Sequence, residues 1–127
     1  MSEKIQSFTQ LTTWQKGHDL VLDVYRATKN FPVTEQFGLT SQIRRAVVSF
    51  TSNIAEGFSR PSAKDKQHFY SMALGSLTEV QNQLLIARDL AYLAQEQFAP
   101  LGEQTIELVK MTKGLIRKST MSRPADV

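Results

Sequence analysis

The spacing of its apolar residues most constrains this chain: they recur at three- and four-residue steps along nearly its whole length. That period puts side chains on one face of a helix, whereas a half-buried strand would alternate with a period of two. Trp14, Val21, Val24, Tyr25 and Thr28 share such a face, with Asp19 and Asp23 mostly on the other side. The first helix is expected over residues 13–29, opening on a capping box of Thr12 and Gln15. It stops ahead of Phe31-Pro32, because proline disfavours helical geometry in the residue before it. Thr34 and Glu35 give the next start signal, with a single turn ahead of Gly38 and a second helix over 39–56. Its stripe is Leu39, Ile43, Ala46, Val47, Phe50 and Ile54. Gly57 is expected just past the helix end, where only glycine takes positive φ cheaply.

Ser62 and Asp65 form a further capping box, with Pro61 just outside it. From there only Gly75 interrupts the pattern until Leu93. That predicts about 31 residues and about 46 Å of helix, projecting beyond three shorter neighbours. The last helix begins within 94–100, carries Leu101, Ile106, Leu108, Val109, Leu115 and Ile116, and frays after Lys118. Four helices with short connections predict an all-α, antiparallel up-down-up-down four-helix bundle over 12–118. A loose segment 1–11 precedes it and a disordered tail 119–127 follows. The third helix carries Phe69, Tyr70, Met72, Ala73, Leu74, Leu77, Val80, Leu84, Leu85 and Ile86, apolar over more than half its circumference. A monomeric bundle needs only one stripe, so a homo-oligomer is expected.

The 127 residues suffice for one domain with its own core. The absence of cysteine excludes disulfides, thiolate metal sites and a cysteine nucleophile, and suits a reducing cytoplasm. No run approaches the roughly 20 apolar residues of a membrane span, and the opening stretch lacks a secretory hydrophobic segment. A net charge of +3 permits nucleic-acid contact without establishing it.

The second helix carries a polar line, Arg45, Ser49, Asn53 and Glu56, within about 80° of arc. The third offers Ser76, Glu79 and Gln83 at matching spacing. An Arg45–Glu79 ion pair joined by Ser49, Asn53 and Ser76 would make a structural network. Two carboxylates, Glu56 and Glu79, could instead serve acid–base catalysis, but that needs a flanking cleft and none is evident. His18 and His68 lack a second ligand at metal spacing. GFSRPSAKDK has one glycine where a phosphate loop needs several. No enzyme, cofactor, metal or small-molecule substrate is expected.

Positive charge gathers late in the last helix: Lys110, Lys113 and Arg117 share a face, with Lys118 and Arg123 beyond. This placement suits the helix dipole, negative early and positive late. It also suits phosphate contact, to which Arg44, Arg60, Lys64 and Lys66 would add if the fold gathers them.

The block LTSQIRRAVVSFTSNIAEGFSR, Leu39 to Arg60, resembles the signature of the four-helix-bundle proteins encoded in intervening sequences of bacterial 23S ribosomal RNA genes. LTTWQKGHDLVLDVYRATKNFP resembles that family's first helix and ALGSLTEVQNQL its third. The sequence departs from the family pattern at Gly17 and Thr51, positions of helix packing. The family is also similar to the accessory variability determinant of diversity-generating retroelements, a basic pentameric barrel that binds nucleic acid and a reverse transcriptase. The resemblance implies an up-down protomer, a ring-shaped homopentamer, no enzymatic activity and association with RNA or DNA. It makes Arg44, Arg45, Ser49, Asn53, Glu56, Gly57, Arg60, Ser76 and Glu79 signature positions. The expected function is thus non-specific binding of RNA or DNA by a cytoplasmic bacterial oligomer. The alternative is a structural or protein-interaction scaffold, such as a retroelement or ribosome-associated accessory protein.

Overall fold

The structure, a computed structural model, describes residues 5–121. It is all-α: α1 (Thr12–Thr28), α2 (Leu39–Ser59), α3 (Ala63–Asp89) and α4 (Gln95–Met121), with no strand among the described residues. Short 3-10 turns at Phe8–Gln10 and Val33–Glu35 lead into α1 and α2. No helix is long and apolar enough to cross a membrane among these residues.

The first capping box lies earlier than the sequence suggests. The Ser7 hydroxyl accepts from the Thr9 N–H at 3.2 Å, and the Gln10 side chain accepts from the Ser7 N–H at 3.1 Å. Thr12 already lies inside α1, whose N-cap Leu11 has no side-chain cap. Gln15 instead reaches back to donate to the Thr9 carbonyl at 2.9 Å. At α2 the reading of Glu35 as a start signal has a physical basis. One of its carboxylate oxygens accepts from the Leu39 N–H at 3.0 Å, while the other accepts from the Tyr92 hydroxyl at 3.0 Å. That hydrogen bond, with some burial and the carboxylate's charge, pushes the Tyr92 phenol above its ordinary pKa.

Gly57 does not end α2. The helix runs through it to Ser59, and no glycine among the described residues has positive φ. Gly57 is buried, and a methyl there would stand 2.6 Å from Cε1 of Tyr70. Its role is close helix approach. Gly17 does the same for α1, where a methyl would stand 2.5 Å from Cε2 of Phe50.

Ser62 caps α3, accepting from the Asp65 N–H at 3.1 Å, but the expected box is only half made, since the Asp65 carboxylate accepts no bond from the Ser62 N–H among the described residues. The helix is 27 residues, ending at Asp89, because the chain then turns through Ala91 at φ 62°. α4 is also 27 residues, with Pro100 inside it, and runs past Lys118 to Met121. Both therefore span about 40 Å, and α3 does not outreach all its neighbours. The tail beyond residue 121 lies outside the described residues.

The stripe of α2 is buried at every expected position. On α1 the buried line is Thr13, Gly17, Leu20, Val24 and Thr28, and Tyr25 is exposed. On α4 the fully buried set includes Thr105 and Thr112, whereas Ile106 is 53% exposed. Those threonines enter the core because each hydroxyl donates to its own helix at 2.7 Å, to Gly102 and Leu108 respectively. On α3 Tyr70, Ala73, Leu77, Val80 and Leu84 are buried, while Met72, Leu85 and Ile86 stay exposed.

α2 packs most extensively on α3, then α3 on α4, α1 on α2 and α1 on α4. Gly57 meets Tyr70 and Ser49 meets Ser76 across the α2–α3 seam. Gln81 meets Thr105 between α3 and α4, and Asp23 meets Gln104 between α1 and α4.

Candidate nucleic-acid interface

The eight basic candidates divide by what their side chains touch. Arg44, Arg60 and Lys66 are committed to the fold. Arg44 donates to the Thr28 hydroxyl at 2.8 Å and the Tyr25 carbonyl at 3.3 Å, its guanidinium 4.6 Å from the Tyr25 ring centre. It clamps the end of α1, where helix carbonyls lack intrahelical partners. Arg60 pairs with Glu56 at 3.0 Å and lies over the Phe69 ring at 4.7 Å. Lys66 donates to the Gly57 and Phe58 carbonyls at 3.3 and 2.7 Å, closing the end of α2. Burial lowers the Lys66 pKa. Lys64, Lys110, Lys113, Arg117 and Lys118 are exposed, and none has an ion-pair partner among the described residues. Of the eight candidates, these five are not committed to a partner within the described residues.

The polar line also divides. Ser49 and Ser76 hydroxyls bond across the seam at 2.9 Å. The Asn53 amide donates to the Ser49 carbonyl at 3.0 Å and the Ser49 hydroxyl at 3.3 Å. Glu56 belongs to Arg60 instead. The expected Arg45–Glu79 pair is not formed: both side chains are exposed and neither has an ion-pair partner among the described residues. A shared helix face sets proximity only, and two long side chains in water gain little from closing a pair.

Arg45 and Glu79 line one groove of about 510 Å³ between α2 and α3, with Phe37, Ser41, Gln42, Ala46, Ser49 and Gln83. Phe37 is 89% exposed at its rim. Gln83 is only 8% exposed, and its amide oxygen is buried with no hydrogen-bond partner. Helical spacing alone puts Gln83 on the polar line, but it says nothing of Phe37. The sequence signal there is an aromatic residue in the connection between α1 and α2.

The histidines rest on aromatic neighbours: His18 stacks on Trp14 at 4.8 Å and His68 meets Phe69 edge-on at 5.3 Å. Among the described residues no group of three or more His, Cys, Asp or Glu is placed to hold a metal ion.

Four helices around an apolar core, a hydroxyl-bonded α2–α3 seam and an exposed row of cations late in α4 define a helical-bundle protein. Comparison places it more closely. The chain belongs to the 23S rRNA-intervening sequence protein family, whose sequence profile matches residues 9–114. A crystal structure of a protein of unknown function from the S23 ribosomal protein family of Bacteroides thetaiotaomicron has the same fold. It superposes with a TM-score of 0.76 at 21% identity, covering 83% of this chain and 95% of that one. No functionally curated protein matches the chain.

Proposed function

We propose that this chain is a non-enzymatic, antiparallel up-down-up-down bundle that assembles as a homo-oligomer and binds RNA or DNA without strong sequence preference. The observation that carries the reading is the group of exposed, unpaired cations Lys110, Lys113, Arg117 and Lys118. Arg88 of α3 lies over Phe98 of α4 at 4.8 Å, while Gln81 meets Thr105. Later residues of one helix thus meet earlier residues of the other, which supports opposite running directions. In that arrangement Lys64, at the start of α3, comes to the end where α4 carries its cations. The family's tie to 23S ribosomal RNA genes supports an RNA partner in a bacterial cytoplasm. The apolar residues left exposed on α3 support subunit contact, and the resemblance favours a ring of five.

The test is affinity for short duplex and single-stranded RNA and DNA across a salt series. Removing one cation that meets a phosphate should reduce the logarithmic salt slope by about 0.9 on duplex DNA. Replacing Lys110, Lys113 and Arg117 together with glutamine should weaken binding uniformly across sequences. Unchanged affinity would remove this surface from the reading. Native mass measurement addresses assembly, and a lone 14.3 kDa particle at high concentration would overturn it.

A second reading, a protein-interaction scaffold, is favoured by Leu85 and Ile106, exposed together around an apolar hollow of about 240 Å³ between α3 and α4. No binding to any nucleic acid at low salt would leave this reading standing.

A further inference from the structure

We infer that the α2–α3 groove binds a guanine base, held between Arg45 on one wall and Glu79 on the other. Where the base belongs to a strand, the inference rests on the nucleic-acid reading above and adds a guanine preference to its sequence-blind phosphate contacts; for a free nucleotide it stands alone.

The groove contains more hydrogen-bonding capacity than the chain itself uses. Arg45 and Glu79 line it without ion-pair partners, and Gln83, also in its lining, has an amide oxygen buried without a hydrogen-bond partner. Buried polar atoms without partners are rare in folded proteins. Phe37 adds a ring at the rim with almost its whole surface in solvent.

The chemistry of these groups narrows the ligand. A guanidinium presents two parallel N–H donors, and a carboxylate presents two acceptors side by side. A ligand that answers both carries two adjacent acceptors next to two adjacent donors. Among the four bases only guanine does so. Its O6 and N7 face an arginine in the commonest specific contact to any base. Its N1–H and 2-amino group then face the carboxylate. Adenine sets an amino donor against Arg45 and a bare ring nitrogen against Glu79. Cytosine and uracil lack the paired donors. The planar ring suits stacking on Phe37, as aromatic residues hold splayed-out bases. The Gln83 amide, whose oxygen and nitrogen exchange places by a half-turn, adds a further hydrogen bond. An aliphatic amino acid would satisfy the two charges but gives Phe37 nothing planar to cover, and an aromatic one, which does, lacks the paired donors and acceptors of guanine and is set against it in the test.

The test titrates the full chain with GMP, IMP, AMP, glycine and phenylalanine by calorimetry. In parallel, a short A/U-only RNA is compared with the same RNA carrying one central guanine. GMP should bind about tenfold or more tighter than AMP, with IMP between them because it lacks the 2-amino donor. One guanine should raise RNA affinity by about the same factor. Glu79→Gln should abolish the guanine preference while keeping the parent's thermal midpoint and its affinity for A/U-only RNA. Phe37→Ala should weaken GMP severalfold. GMP binding without RNA binding sustains the groove and sinks the nucleic-acid reading. RNA binding indifferent to guanine does the reverse. Glycine or phenylalanine binding that displaces GMP, a preference untouched by Glu79→Gln, or no binding of any probe overturns the inference.

Discussion

The two halves of the α2–α3 seam are built from the same pair of helices yet do opposite things. Toward the end of α2 the helices close until Gly57 leaves no room for a methyl against Tyr70. Toward its start they leave a groove wide enough for Arg45, Glu79 and Gln83 to line without bonding one another. The Ser49–Ser76 hydroxyl pair stands between the two regimes. The contrast teaches that residue size governs approach at the closed half, while at the open half polar groups remain available to something outside the chain.

The largest effect expected is at the closed half. Gly57→Leu would drive a branched side chain into the Tyr70 and Phe69 contacts and should cost about 3 kcal/mol. A chemical-denaturation midpoint close to the parent's would show that the seam yields there. Gly75 is the control, also within a helix of this seam but with nothing within 4 Å of an added methyl. Gly75→Ala should stabilise by about 0.5–1 kcal/mol through backbone entropy alone. At the boundary, Ser49→Ala should cost about 1 kcal/mol. Its partner Ser76 keeps a hydrogen bond to the Met72 carbonyl, which limits the loss. In the open half Arg45→Ala should change stability by less than about 0.5 kcal/mol, since the guanidinium has no partner to strand. A thermal shift of several degrees would mean that the Arg45–Glu79 pair forms after all.

The closed half should also respond to alkali. Burial raises the Tyr70 phenol above its ordinary pKa. A raised folded-state pKa means stability that is complete below about pH 10 and lost as pH rises through the higher folded value. Tyr92 adds a loss of the same sign. Denaturation midpoints measured from neutrality past pH 10 should therefore fall, and less steeply in Tyr70→Phe. An identical slope in the variant would place the alkaline sensitivity elsewhere.

The α2 stripe is legible in the sequence residue by residue, because a continuous apolar line with period near 3.6 has one way to be buried. The α4 line is not, since Thr105 and Thr112 look polar until their hydroxyls are seen bonding their own helix. Gly57 is legible as a special position but not as to why: glycine near a helix end suits a left-handed cap and a tight crossing equally, and only the distance to Tyr70 separates them. Arg44, Arg60 and Lys66 carry the same charge as Lys113 and Arg117. What separates them is the carbonyls and rings brought beside them by distant parts of the chain. The groove is half legible, since helical spacing alone brings Arg45, Glu79 and Gln83 into its lining. That the walls stand unpaired follows from packing, which no spacing rule encodes.

One small defect elsewhere has an evolutionary corollary. Ala91, in the turn between α3 and α4, has a side chain in a left-handed backbone conformation, costing about 1 kcal/mol. The joint between the two longest helices therefore holds a reserve that one base-pair change in an alanine codon, to glycine, can release. A lineage that acquires a damaging substitution in the core has a compensating mutation within reach, at an exposed turn outside that core.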